Sequence, residues 1–158
     1  VVHQGLVSRR LGATRLVCCA APSYLARHHE LPLESPADLA RHECLTYTQV
    51  PVPNIWRFDS AEGSRVEVRV QNRHRANNGR MLVAMAVAGL GIVYEPDFIV
   101  APEIQSGRLV SVLRQFRPQQ SQIAAVYPSR RHLSAKVRAL VGFLAARFEL
   151  RQDWSLPD

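Results

Sequence analysis

The sequence predicts an α/β layered fold with a largely parallel sheet. Short apolar segments typical of strands alternate along the chain with segments whose apolar residues recur at helical spacing. The 158 residues suit one compact domain or two small lobes, and 47% hydrophobic with 21% charged residues is typical of a folding chain. The longest nearly unbroken apolar run, Met81 to Tyr94, has 14 residues and is too short to span a bilayer.

The first third of the chain predicts one strand and two short helices. The apolar run 15–20 is typical of a strand buried on both faces. Pro22 suits the first turn of a helix, whose N–H groups lack partners, so a helix is predicted over 23–29. Ser35 can cap a second helix over about 36–41.

The middle of the chain predicts three strands and a capped helix. The strands lie at 44–48, 55–58 and 66–71. In the last of them valines alternate with polar residues, which indicates a half-exposed strand. A helix over about 79–88 follows the amides of Asn77 and Asn78 and ends at Gly89.

The last third predicts three more strands and a long amphipathic helix. The strands lie at 91–94, 109–113 and 123–127, and Pro96 starts a further helical turn. A helix over 134–149 begins at a Ser134 cap. Its apolar residues form one stripe that is suited to docking on a sheet: Val137, Leu140, Val141, Leu144 and Phe148.

The charge favours anionic partners. The formal net charge is +7, and every basic residue except Lys136 is an arginine. Nucleic acid and small carboxylates or phosphates are both candidates, but the arginines are dispersed and no helix-turn-helix, zinc-finger or RNA-binding motif occurs. We therefore expect no DNA contact through this chain itself.

No motif for catalysis, a cofactor or a metal is present. The chain lacks the G-x-S-x-G, G-K-[ST] and H-E-x-x-H patterns, and its one G-x-G, at Gly89, follows a helix where a dinucleotide loop would precede one. The adjacent His28 and His29 cannot share a helical face, so these and His42 are interpreted as surface or loop histidines. We predict no enzyme activity, cofactor or metal.

The spacing of four acidic residues identifies no general acid/base pair: Asp59, Glu62, Glu95 and Asp97. The three cysteines, Cys18, Cys19 and Cys44, are odd in number and lack metal-binding spacing. They indicate a reducing cytoplasm. The first residues show no secretory signal peptide.

The segment Arg73 to Asn78 is the strongest candidate for binding. It leads from a strand to a helix N-terminus, where free N–H groups and the macrodipole favour an anion such as a carboxylate. The alternative is that Asn77 or Asn78 only caps the helix and the arginines are solvated.

Four segments in this order resemble the effector-binding domain of LysR-type transcriptional regulators. They are CCAAPSYLARHHELPLESPADLARHECLTY, RHRANNGRMLVAMAVAGLGIVYEPDFIV, SGRLVSVL and AVYPSRRHLSAKVRALVGFLA, with a tryptophan at Trp56 after the first. The resemblance covers about residues 5–150. It implies a periplasmic-binding-protein-like (type 2) fold of two Rossmann-like α/β lobes, with a small-molecule effector between them.

The resemblance also implies a division of the chain. Residues 1–19 would be a remnant of the first lobe with the crossover strand, 20–121 the complete second lobe, 122–150 the return strand and helix of the first lobe, and 151–158 a tail. The winged helix-turn-helix and half of the first lobe would be absent, so this fragment is expected to self-associate or to have a disordered end.

The family's second-lobe contacts carry over to six residues of this chain: Tyr47, Thr48, Ala76, Asn77, Asn78 and Pro96. The two crossovers between lobes would form the hinge at Cys19, Ala20, Gln122 and Ile123. The sequence thus predicts the ligand-sensing domain of a cytoplasmic regulator, working as a homodimer or homotetramer, with DNA contacted only through the absent domain. The alternative is a solute-binding protein of a transport system, and an enzyme is a third possibility.

Overall fold

A computed structural model describes residues 5–59, 63–118, 120–128 and 134–150. The chain divides into two compact units, one formed by 15–119 and the other by 1–14 with 120–158. The first strand, β1 (Leu6–Ala20), contributes to both units.

The unit 15–119 alternates strands with short helices, as the sequence predicts. After β1 its elements are α1 (Pro22–Arg27), a 3₁₀ helix (Pro36–Arg41), β2 (Glu43–Tyr47), β3 (Ile55–Asp59), β4 (Arg65–Arg69), β5 (Gln71–Ala76), α2 (Gly79–Val87), β6 (Ile92–Pro96), α3 (Asp97–Gln105), β7 (Val110–Ser111) and β8 (Arg117–Pro118). The 3₁₀ helix lies where a helix over 36–41 is predicted. Its start is fixed by the Asp38 carboxylate, which accepts hydrogen bonds from the backbone N–H and the hydroxyl of Ser35.

The main sheet has the order β5-β2-β6-β1-β7, and it is mixed where a largely parallel sheet is predicted. Strands β5, β2 and β6 are parallel, whereas β1 is antiparallel to both β6 and β7. An apolar run indicates that a strand is buried but not in which direction it runs, so the orientation of β1 could not be inferred.

Helix α2 packs on one face of this sheet, and a three-stranded sheet of order β4-β3-β8 supplies aromatic side chains to the other. Leu82 and Ala86 of α2 are fully buried. On the opposite face the ring of Tyr94 lies 5.3 Å from that of Trp56 and 4.9 Å from that of Phe58, between centroids. The Tyr94 hydroxyl donates a hydrogen bond of 2.7 Å to the carbonyl of Arg57.

Two strands differ from the sequence prediction. The alternating valines do form a half-exposed strand, but the polar segment that follows them is a separate strand, β5, which carries no apolar pattern because it is an edge strand. The strand predicted over 109–113 is shorter in the structure and forms β7. It cannot continue through Leu113, whose φ of 55° lies outside the range of extended backbone.

His42 lies in the bend between the 3₁₀ helix and β2, as predicted for a loop histidine, but it is buried and does not lie on the surface. It is 2% exposed, and its Nδ1 lies 3.2 Å from the hydroxyl of Tyr24, which accepts a hydrogen bond from the N–H of Glu43. Its Nε2 lies 3.4 Å from the carbonyl of Pro32. A carbonyl only accepts, so Nε2 carries the proton and Nδ1 accepts from Tyr24. Burial lowers the pKa of His42, which stays neutral in this network.

The three cysteines are buried and free. Burial raises the pKa of Cys18 and brings those of Cys19 and Cys44 to about 12. These thiols are therefore protonated and act as small apolar side chains.

The other unit pairs β9 (Gln120–Pro128) with β1 and contains helix α4 (Ala135–Leu150). The Ser134 hydroxyl accepts a hydrogen bond from the N–H of Val137, so the predicted cap is confirmed. Val141 and Ala145 are buried, but Leu140 is 57% exposed and so does not belong to the buried stripe.

The apolar stripe predicted for α4 is wider than the buried face of the helix, and Leu140 lies at its edge.

The stretch 151–158, predicted to be a tail, lies outside the described residues.

Candidate functional site

Three parallel strands end at one edge of the main sheet. Tyr47, at the end of β2, is paired with Ala76 at the end of β5. The N–H of Thr48 donates a hydrogen bond of 2.9 Å to the carbonyl of Ala76. On the other side of β2, strand β6 ends at Pro96. In open α/β sheets, small ligands bind beyond the carboxyl ends of the strands.

The start of helix α2 lies at the same edge. The side-chain oxygen of Asn78 accepts hydrogen bonds from the N–H groups of Arg80, at 3.0 Å, and Met81, at 3.3 Å. The interpretation of an asparagine as the helix cap is thus confirmed for Asn78, whose amide nitrogen stays available for another partner.

The charge at the start of α2 is positive. No acidic residue lies in its first turn, and Arg75 and Arg80 are exposed and form no ion pair among the described residues. Asn77 is also exposed. The structure therefore brings five of the predicted site residues to one place, beside a helix N-terminus that has no negative charge of its own.

Pro96, the sixth predicted residue, lies at a different strand-to-helix junction, the one between β6 and α3. Pro96 is the N-cap of α3, and the next residue, Asp97, is only 3% exposed. An oxygen of Asp97 accepts from the N–H of Phe98 at 2.8 Å, and its other oxygen lies 3.9 Å from Nε of Arg15. A carboxylate of the chain itself therefore occupies the start of α3.

Glu95 is a residue of the site edge that the sequence analysis did not select. It is 4% exposed, and a Cβ added at Gly79 would lie 2.5 Å from its Oε2, so the carboxyl group lies against the first residue of α2. Burial raises the pKa of Glu95 to about 7. An acidic residue directly after the buried run Ile92 to Tyr94 was the feature that could have revealed it.

The predicted hinge residues lie inside strands. Cys19 is paired with Val93 on one side and with Ser111 on the other, and Ala20 is paired with Val110. Gln122 and Ile123 lie within β9. The chain divides at 14/15 and 119/120, a few residues before each predicted crossover. The hinge and the domain limits therefore stay predictions.

The described residues contain neither a metal-binding cluster nor a helix that could span a membrane. No group of three or more His, Cys, Asp or Glu side chains in the described part of the chain is arranged to hold a metal ion. No helix among the described residues is long and apolar enough to cross a membrane.

A mixed α/β sheet whose parallel strands and a helix start meet at a single edge is the arrangement in which open α/β folds bind small ligands. The family model described as the LysR substrate binding domain matches residues 1–149. The chain therefore belongs to the LysR substrate-binding-domain family, the effector-binding domain of LysR-type transcriptional regulators.

Similar proteins agree with this assignment. The chain is 36% identical over 137 residues to the HTH-type transcriptional regulator PtxR of Pseudomonas aeruginosa, covering 87% of this chain and 43% of that protein. It is 36% identical over 143 residues to the HTH-type transcriptional activator AaeR of Escherichia coli, covering 90% and 45%. The chain thus spans somewhat less than half the length of these curated relatives.

A solved structure confirms the predicted fold. The regulatory domain of CrgA, a LysR-type transcriptional regulator from Neisseria meningitidis, matches with a TM-score of 0.78 and 30% identity. The match covers 94% of this chain and 71% of that one. These relatives are transcriptional regulators, so neither the solute-binding alternative nor an enzyme is favoured.

Proposed function

We propose that this chain senses a small organic anion on behalf of a DNA-binding transcriptional regulator. The effector binds at the carboxyl edge of β5, β2 and β6, against the six residues Tyr47, Thr48, Ala76, Asn77, Asn78 and Pro96. The regulator works in the cytoplasm, and DNA is contacted by its separate winged helix-turn-helix region.

The observation that carries the proposal is the start of α2. Its cap is a neutral amide and its first turn has no acid. The exposed Arg75 and Arg80 lie beside it and form no ion pair within the described part of the chain. The Asn78 oxygen already accepts from the N–H groups of Arg80 and Met81. A carboxylate placed there would therefore meet the positive end of the helix dipole and the amide nitrogen of Asn78. The net charge of +7 would attract such an anion to the protein.

The response requires an effector that has different affinities for two arrangements of the lobes. The lobes comprise 20–121 and, in part, 122–150, with a hinge at Cys19, Ala20, Gln122 and Ile123. Closure around the effector would change how the subunits of a homodimer or homotetramer present their DNA-binding regions.

The proposal is tested with a library of small carboxylic, amino and sugar acids. Binding is detected by thermal shift and quantified by calorimetry. Asn77→Asp places a carboxylate at the anion site, and we expect it to weaken binding roughly tenfold through charge repulsion. Gln105→Glu makes the same chemical change at the exposed C-terminal end of α3, and should leave affinity unchanged. Binding of neutral compounds only, or equal affinity in both variants, would contradict the proposal.

A further inference from the structure

Glu95 lies on the sheet directly beneath the start of α2. In β6 it follows Tyr94, whose ring faces the aromatic cluster, so alternation directs the Glu95 side chain to the face covered by α2. Its Oε2 lies where a side chain at Gly79 would begin. Glycine at position 79 therefore leaves room for a carboxyl group one residue from the Asn78 cap.

The Glu95 carboxyl group has no hydrogen bond or ion pair among the described residues. From β1 it faces the thiol of Cys19, which is neutral because its pKa is about 12. At the start of α3, Asp97 is already paired with Arg15. The other charged or titratable groups near this edge are Tyr47 at the end of β2, His74 and Arg75 on β5, and Arg80 in the first turn of α2.

We propose that an anion binding at the start of α2 is taken up together with one proton, which Glu95 holds. This inference rests on the proposed function. An ionised Glu95 and a bound carboxylate would be two negative charges at the same helix turn with little water between them. Protonation of Glu95 removes that repulsion, so the effector site binds an anion more tightly when Glu95 is neutral.

Anion binding and protonation of Glu95 are coupled in the neutral pH range. Burial raises the pKa of Glu95 from 4.5 to about 7, so its charge changes between pH 6 and pH 8. We expect anion affinity to be roughly tenfold higher at pH 6 than at pH 8, the effect of one unit charge at close range through a partly buried path.

The experiment uses acetate as the probe, titrated into the 158-residue chain at pH 6 and at pH 8. Binding is followed by NMR shifts of the backbone amides of Asn77 and Asn78, with sodium chloride at equal ionic strength as the reference. Glu95→Gln should bind acetate with the same affinity at both pH values. Glu30→Gln, the same substitution at an exposed position after α1, should retain the tenfold difference.

A second measurement needs no variant. Carbon-13 shifts of the glutamate side-chain carboxyl groups give the Glu95 pKa in the wild-type chain, and saturating acetate should raise it by about two units. Acetate binding at these amides with an unchanged Glu95 pKa, or with a tenfold pH effect that persists in Glu95→Gln, overturns the inference alone. Absence of any acetate-specific shift at Asn77 and Asn78 at either pH overturns the proposed anion site as well.

Discussion

Two strand-to-helix junctions lie side by side at the edge of the main sheet, and they differ in charge. The junction from β5 to α2 is capped by the neutral amide of Asn78 and has no acid in its first turn. The junction from β6 to α3 has no side-chain cap, and Asp97 lies buried in its first turn beside Arg15.

The comparison explains why we place the proposed anion at α2 and not at α3. Both helix starts attract negative charge through their dipoles. At α3 that attraction is already met by Asp97. At α2 it is open, and the nearest carboxyl group, Glu95, lies underneath and changes its charge near neutral pH. The proposed anion site at α2 therefore depends on the lack of an acidic residue in the first turn as well as on the residues present.

The largest expected effect is that of Glu95→Gln on stability. The folded-state pKa of about 7 lies above the ordinary 4.5, so ionised Glu95 is disfavoured in the fold. The protonated Glu95 carboxyl group contributes its full stabilisation below pH 4.5, and this contribution is lost as the pH rises to about 7. At about 1.4 kcal/mol per pKa unit, Glu95→Gln should stabilise the chain by roughly 3 kcal/mol at pH 8.

Urea unfolding at pH 5 and pH 8 checks this expectation. The advantage of Glu95→Gln over the wild type should be much smaller at pH 5, where most of the penalty is already removed. An equal difference at both pH values would show that Glu95 does not titrate between them.

Asp97→Ala should reduce the free energy of unfolding by about 2 kcal/mol. It removes a buried carboxylate, its bond to the N–H of Phe98 and the partner of Arg15. The control Asp59→Ala removes an exposed ion pair with Arg65 and should cost less than about 1 kcal/mol. Chemical denaturation of both variants tests the difference, and similar losses would refute the buried role of Asp97.

Asn78→Ala should destabilise the chain by about 1 kcal/mol, since it removes the acceptor for Arg80 and Met81 at the start of α2. Asn78→Ser keeps a capping oxygen and should recover most of that loss. Because a serine hydroxyl does not reproduce the amide nitrogen, Asn78→Ser would still bind acetate more weakly. Thermal unfolding together with acetate titration separates capping from anion binding; wild-type affinity in Asn78→Ser would assign Asn78 to capping alone.

The smallest expected effect is that of Arg80→Ala. Arg80 is exposed, so its removal should change stability by less than about 0.5 kcal/mol. Acetate affinity should fall roughly two- to threefold, because one positive charge near the site is lost through a solvent-exposed path. Arg114→Ala, which removes an exposed arginine after β7, serves as the control and should leave acetate affinity as it is.

Much of the fold and most of the candidate site could be predicted from the sequence. The apolar runs and helix starts are local patterns, and they indicated the strands and helices that bring Tyr47 and Asn78 to one edge. The edge strand β5 has no apolar pattern, so it could not be separated from its neighbours.

The contact between Glu95 and Gly79 depends on how a helix is placed on a sheet, which no local pattern specifies. The two residues belong to different elements, 16 positions apart, and only the packing of α2 against β6 brings them together. The burial of His42 has the same origin, because its partner Tyr24 lies 18 residues earlier in the chain.

The three buried thiols have a practical consequence for following motion in this chain. Cys18, Cys19 and Cys44 lie in the strands that form the centre of the sheet, with pKa values far above neutral. A thiol reagent applied in short pulses would modify them only during openings that expose these strands. The rate of labelling would measure how often such openings occur. A reporter cysteine introduced on the surface could be labelled selectively without removing the native ones.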